Sequence, residues 1–259
     1  MQLNGASPDL EQVKALALTN YGHFTSMRVE DGCVRGLSHH MHRLSRDCRQ
    51  LFDVELDVDL VRHFVRQALE DAPALTTARV TIYDPALDLG TIGRDADPQV
   101  LVTTRGASPG IASPLRLRAM SYLRDDPPVK HIGLYAALRR RRIAQRDGFD
   151  DVLFLNPNGT ISEIATSNIG FVRDGQIVWP KAEYLTGVTM TLLQQELDES
   201  LTVEPVTLAD LPEMDAIFAT NAAVGIRAVS TVESNEWPGQ HKVFDELREL
   251  YADIPGERV

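Results

Sequence analysis

From Phe24 to Val29 the chain sorts its residues onto two faces of an extended segment. Phe24, Ser26 and Arg28 fall on one side, and Thr25, Met27 and Val29 on the other. Glu30-Asp31-Gly32 reads as a turn and Cys33-Val34-Arg35 as the return strand. Ser38 is the expected cap of a helix running to about Phe52. Leu60, Val61, Phe64, Val65 and Leu69 recur at helical spacing and predict a second helix from Val58 to Glu70. Strands follow at 78–83 and 99–103. Beyond the Gly, Pro and Ser residues of 105–114 the pattern resumes with a strand near 115–122, a loop at 124–129 and a helix over 133–146. Short strands at 152–155, 169–172 and 177–179 are punctuated by Asn158-Gly159 and Asp174-Gly175, both hairpin signals. A helix at 189–197, a strand at 216–219 and a closing helix at 243–251 end the series.

Strands and helices mix without strict alternation, which predicts two lobes of α+β or α/β type. Their expected extents are residues 1–106 and 115–259, with 107–114 as linker. The length of 259 residues supports a substantial buried core, and 43% hydrophobic with 24% charged residues is ordinary for a globular protein. A net charge of −11 without a concentrated basic face argues against nucleic-acid binding. The four arginines 139–142 would be spread by a helix over different faces. No apolar run has the length of a membrane span, and the first residues lack the basic and apolar regions of a signal peptide. Cys33 and Cys48, the two cysteines, read as reduced thiols in the cytoplasm. His39, His40 and His42 cluster, but no further ligand pattern supports a metal.

The most informative block runs VKHIGLYAALRRRRIAQRDGFDDVLFLNPNGTISEIATSNIGFV from Val129 to Val172, followed by LTGVTMTLL from Leu185. It resembles the class IV enzymes that use pyridoxal 5′-phosphate (PLP), the branched-chain, D-amino acid and aminodeoxychorismate lyase types. Their ordered features match Lys130, Gly148, Ser162-Glu163, Asn168-Ile169 and Gly187-Val188-Thr189. The first half agrees, with Phe24-Thr-Ser-Met-Arg-Val-Glu-Asp-Gly32 and His40-Met-His-Arg-Leu44 similar to a strand and a helix of the same family. The resemblance covers nearly the whole chain and implies a two-domain fold type IV enzyme like the D-amino acid aminotransferases.

It also implies roles. Lys130 would carry PLP as a Schiff base and shuttle a proton at the substrate carbon. Glu163 would keep the pyridine nitrogen protonated, so that the ring accepts the carbanion's electrons. Arg43 offers a bidentate fork to the phosphate, and the amides of Val188 and Thr189 lie at a turn-to-helix start suited to an anion. Asn221 stands where relatives place a phosphate-binding hydroxyl or amide, and Tyr135 where some place a tyrosine on the PLP phenolic oxygen. The family turns Phe24, Ser26 and Arg28 toward the substrate. Arg28 would then meet a carboxylate or serve in a structural ion pair, and Arg94, in the loop after residue 84, is a second carboxylate candidate.

Fold resemblance leaves the reaction open. An amino acid aminotransferase acting with a 2-oxo acid is the first expectation and aminodeoxychorismate lyase the alternative. Tyr83-Asp-Pro-Ala-Leu-Asp-Leu-Gly90 departs from the lyases' glycine-rich segment, and Met190 replaces the arginine of the family's Gly-Ile-Thr-Arg turn. A family member that has lost PLP is the third reading; the joint presence of Lys130, Glu163 and Arg43 argues against it. The family's habit of forming homodimers is expected here.

Overall fold

The computed structural model describes residues 1–107, 109–197 and 201–259. Ser108 of the expected linker lies outside the described residues. The chain divides into two compact units. The first holds Met1–Pro109, Val129–Gly133 and Pro255–Val259; the second holds Gly110–Pro128 and Leu134–Ile254.

The first unit is an antiparallel sheet backed by helices. Its elements are β1 (Gln2–Leu3), α1 (Leu10–Leu18), β2 (His23–Glu30), β3 (Cys33–Arg35), α2 (Leu37–Phe52), α3 (Val58–Leu69), β4 (Leu75–Tyr83) and β5 (Gln99–Gly106). The terminal strand Gly256–Arg258, β15, returns to complete the order β1-β5-β4-β2-β3-β15. The two-residue alternation decides what is covered. Met27 and Val29 of β2, Ala78, Val80 and Ile82 of β4, and Val100 and Val102 of β5 form one core with Leu37, Met41, Leu44 and Cys48 of α2 and Val61 and Val65 of α3. Burying each such side chain contributes about 1.5–3 kcal/mol. Leu60, expected on the apolar stripe, is exposed, because the stripe centres on Val61 and Val65. The β2–β3 turn uses Asp31 and Gly32 at φ 50° and 76°, as its sequence predicts.

Ser38 does not cap α2. The helix starts one residue earlier, after Gly36 in the left-handed conformation, and no side chain caps it. Ser38 instead donates its backbone N–H and its hydroxyl to the Glu257 carboxylate of β15, each at 3.1 Å. An acidic group from the distant C-terminus thus meets the positive end of the helix. Helix α1 was not expected, because none of its residues is buried. Its signal was the capping box from Asp9 to Gln12.

The second unit contains β6 (Leu115–Ser121), α4 (Tyr135–Arg146), β7 (Asp151–Leu155), β8 (Ile161–Ile164), β9 (Asn168–Arg173), β10 (Gln176–Pro180), α5 (Val188–Leu197), β11 (Leu201–Glu204), a 3₁₀ turn at Leu208–Glu213, β12 (Ala216–Asn221), β13 (Gly225–Val232), β14 (Asn235–Glu236) and α6 (Lys242–Asp253). Its mixed sheet runs β11-β10-β9-β12-β13-β6-β7-β8, with β14 beside β13. Here β7, β8, β9 and β12 are buried nearly throughout; β7, β9 and β12 read as largely apolar runs rather than alternating ones, while β8 buries Ser162 and Glu163 between two isoleucines. Ile169, Phe171 and Ile217 pack on one face, while Val172, Ala216 and Phe218 pack on the other with Met190 and Leu193 of α5 and Phe244 and Leu247 of α6.

The first switch between units, at Pro109 and Gly110, falls in the expected linker. The expected C-terminal domain 115–259 differs from the observed unit, because residues 129–133 pack with the N-terminal one. The Phe24 N–H donates to the Lys130 carbonyl and the Ile132 N–H to the Gly22 carbonyl, each at 2.9 Å. This single antiparallel bridge, centred on His23 and His131, is too short to show any alternation in sequence.

Candidate active site

In the first unit the candidate residues lie on β2, α2 and the returned segment. Lys130 is held at both ends of its peptide. Its N–H donates to Asp47 Oδ2 at 3.0 Å, and its carbonyl takes the Phe24 N–H. Its Nζ lies 4.9 Å from the centre of the Phe24 ring, and the Arg79 guanidinium lies 3.7 Å from the same centre. Arg43 sits on the buried side of α2, only 7% exposed. His40, one turn earlier, is fully buried, with its Nδ1 2.6 Å from Thr25 Oγ1. Burial above all, then the nearby charges of Arg43 and Lys130, hold this imidazole well below its usual pKa, so it is neutral. His23 is also buried and pushed down to about 3, by burial first and Arg46 second.

Strand register defines the face that carries Phe24. Ser26 pairs with Arg79 and Arg28 with Thr77 across β4, and Arg79 and Thr77 pair with Thr103 and Arg105 of β5. The grouping of Phe24, Ser26 and Arg28 therefore holds. Arg28, however, spends its Nε on Glu30 at 2.8 Å, and the same carboxylate binds Arg35 at 2.6 Å. Hydrogen bonds from these two arginines hold the Glu30 carboxyl below its usual pKa. The ion-pair reading of Arg28 is the one the structure supports. Arg79, which sequence reasoning missed, makes no ion pair among the described residues and donates to Thr81 Oγ1 at 3.3 Å. Burial, and then neighbouring Arg105, lowers its pKa. Its place on the Phe24 face was legible only through the β2–β4 register.

In the second unit Glu163 occupies β8, every residue of which is buried. At 6% exposure it is no surface charge of a hairpin. After burial itself, it is among the charges that raise the phenol pKa values of Tyr122 and Tyr184. Asn168, at the start of β9, shapes the turn before α5. Its Nδ2 donates to the Leu185 carbonyl at 2.8 Å and its Oδ1 accepts the Gly187 N–H at 2.9 Å. A Cβ on Gly187 would collide with that Oδ1, whose amide is fixed by both bonds, so this position favours glycine. Val188 and Thr189 open α5, where first-turn N–H groups have no partner within the helix. Thr189 is fully buried and its hydroxyl has no partner among the described residues. Thr220, paired with Asn168 across β12 and β9, is buried with its hydroxyl equally unpartnered.

A family model described as class IV amino-transferase matches residues 22–232. This chain belongs to the class IV aminotransferases. A stretch of 125 residues is 30% identical to a Rickettsia bellii protein named a probable branched-chain-amino-acid aminotransferase, covering 46% of this chain and 43% of that protein. The matched stretch thus spans less than half of that relative's length. Among solved structures, 4-amino-4-deoxychorismate lyase from Pseudomonas aeruginosa aligns with a TM-score of 0.80 at 21% identity, covering 98% of each chain. The branched-chain amino acid aminotransferase from Escherichia coli aligns at 0.81 and 19% identity, covering 92% of this chain and 86% of that one. At these identities the likeness shows the fold, which is that of the fold type IV enzymes.

The remaining candidates of this class IV chain are placed as follows. Asn221 has its side chain engaged locally. It donates to Ser167 Oγ at 2.9 Å and accepts the N–H groups of Ala223 and Val224 at 3.0 and 2.9 Å. It closes the β12–β13 turn, and the unfilled hydroxyl belongs to its neighbour Thr220. A polar residue before Asn221 was visible in the sequence, but its burial was not. Tyr135, the first residue of α4, is 76% exposed. Arg94 is exposed in its loop, where its N–H donates to the Thr91 carbonyl. Among the described residues no group of three or more metal-binding side chains is present, and no helix is long and apolar enough to cross a membrane.

Proposed function

We propose that this chain is a PLP-dependent aminotransferase that passes an amino group between an amino acid and a 2-oxo acid. The observation that carries the reading is the pair of buried hydroxyls on Thr189, in the first turn of α5, and Thr220, on β12, which have no partner among the described residues. A buried hydroxyl without a partner costs about 1–3 kcal/mol, so two of them point to a ligand that accepts hydrogen bonds. A phosphate monoester has that character. The residues present fit PLP.

When bound, PLP supplies a ring that withdraws electrons from the substrate α-carbon. The chain's residues do the rest. Lys130 would hold the cofactor through Nζ, and its amine is the group placed to take and return the proton of the substrate α-carbon. Glu163 holds a proton on the ring nitrogen. Arg43, the hydroxyls of Thr189 and Thr220 and the amides of Val188 and Thr189 are the groups that would hold the phosphate. Asn221 supports this group by fixing the turn after Thr220. Phe24 keeps water from one side of the Lys130 amine. Arg79 receives a substrate carboxylate, since it is the half-buried cation on the Phe24 face that makes no ion pair among the described residues. The working form is a homodimer, as in the family resemblance.

The test is a half-reaction. Native protein loaded with PLP and given an amino acid alone converts its cofactor to the amino form, seen in the absorption spectrum. Lys130→Ala forms no covalent attachment that borohydride can fix. Protein that takes up no PLP sinks the reading. Pyruvate released from aminodeoxychorismate without conversion of the cofactor replaces it with the lyase.

A further inference from the structure

Asp47 has no part in the chemistry above, yet its carboxylate is fully buried and divides its two oxygens between different tasks. Oδ1 takes two donors of Arg46, Nε at 2.9 Å and Nη2 at 2.6 Å. Oδ2 takes the backbone N–H of Lys130 at 3.0 Å. Arg46 is 38% exposed, and an ion pair alone could have stayed at the surface. A buried carboxylate carries a desolvation cost, which singles out the bond made inside.

We infer that Asp47 is the positioning residue for the Lys130 amine. The inference rests on the reading of Lys130 as the cofactor lysine. Lys130 lies outside any regular strand, so no ladder fixes its main chain. Its main chain is held by the bond to Asp47 and the one from the Phe24 N–H. Together they set the Cα from which the flexible side chain reaches the Phe24 ring. Asp47 also follows His40 and Arg43 along the buried side of α2, at spacings of seven and four residues. The helix that carries the phosphate-binding arginine therefore holds the lysine main chain too. Asp47 sets the distance between the amine and the phosphate end of the cofactor through one rigid element.

Three variants test this. Asp47→Ala removes the acceptor. Asp47→Asn keeps an oxygen for the Lys130 N–H and gives up the charge. Arg46→Ala leaves Asp47 in place. Two quantities are read: hydrogen exchange at the Lys130 amide in the cofactor-free protein, and the rate of covalent PLP attachment fixed by borohydride. Asp47→Ala is expected to speed exchange at Lys130 and slow attachment, each by about tenfold or more, while amides of β9 and β12 keep their protection. Asp47→Asn and Arg46→Ala are expected to stay within about threefold of the native chain in both. Native-like exchange and attachment in Asp47→Ala overturn the inference. So does an equal loss in Asp47→Asn, which would make the charge the active feature. Should Asp47→Ala not fold, Asp47→Asn decides: retention supports positioning through the bond, and a tenfold loss overturns it. Failure of the native chain to attach PLP would remove the functional reading and still leave the exchange arm to judge the clamp.

Discussion

The two sheets treat polar residues differently. In the first unit one face is core and the other carries the half-buried Ser26, Arg28, Arg79 and Thr103, where a polar side chain costs less. In the second unit both faces of β9 and β12 are covered, so Asn168 and Thr220 interrupt buried apolar runs. Glu163 is the extreme case, a carboxylate in a strand with no exposed position. A polar group is informative in proportion to the cost of its location. On the open face, only the presence or absence of a partner separates a substrate residue from a structural one.

The strongest way to break this comparison is Glu163→Gln. The amide keeps the shape and removes the charge that holds a proton on the cofactor ring. Turnover is expected to fall by about a hundredfold or more, on the scale of losing one preorganised electrostatic group. The thermal midpoint of the cofactor-free variant, followed by circular dichroism, is expected to hold or rise, because a buried charge is gone. Native turnover in this variant would make Glu163 a structural carboxylate and remove the contrast between the sheets.

How much was legible in the sequence follows the same division. Strand β2 and its turn were readable because one face is wet and the alternation survives. The strands around Val152, Ile169 and Ile177 were found by their hairpin signals, since their apolar runs carry no period. Lys130, Glu163 and Arg43 stood out through motif order. Arg79 did not, because its importance depends on pairing with Ser26 and stacking on Phe24, neither of which has a local sequence signal. Asp47 and Thr220 were missed for a related reason. A helix aspartate and a strand threonine look ordinary until burial and unfilled bonds are known. Residues 129–133 group with the first unit, and a return of five residues has no periodicity to detect.

The next sharpening lies within the open face. Arg79→Ala and Arg28→Ala remove the same chemistry from neighbouring rows of one sheet. A charge-assisted bond to a carboxylate contributes about 1.5–3 kcal/mol, so Arg79→Ala is expected to lower kcat/KM about 10- to 150-fold, mostly through KM. Arg28→Ala gives up a half-exposed ion pair and is expected to change kcat/KM by less than about threefold. Steady-state kinetics with a saturating amino donor and varied 2-oxo acid separate the two. The reverse order would return the substrate carboxylate to Arg28.

The smallest expected effect is the most discriminating for the buried hydroxyls. Thr189→Val and Thr220→Val replace each hydroxyl by a methyl of nearly the same size. If the hydroxyls serve the phosphate, removing one takes away about 0.5–1.5 kcal/mol of cofactor binding, a two- to tenfold weaker Kd read by titration of the PLP absorption. The cofactor-free protein should move the other way. Its thermal midpoint should stay level or rise, since a buried donor without a partner has been replaced by an apolar group. A structural hydroxyl predicts the opposite pairing, lost stability with unchanged affinity. The sign of the two changes together decides whether Thr189 and Thr220 are held unpaired for a ligand.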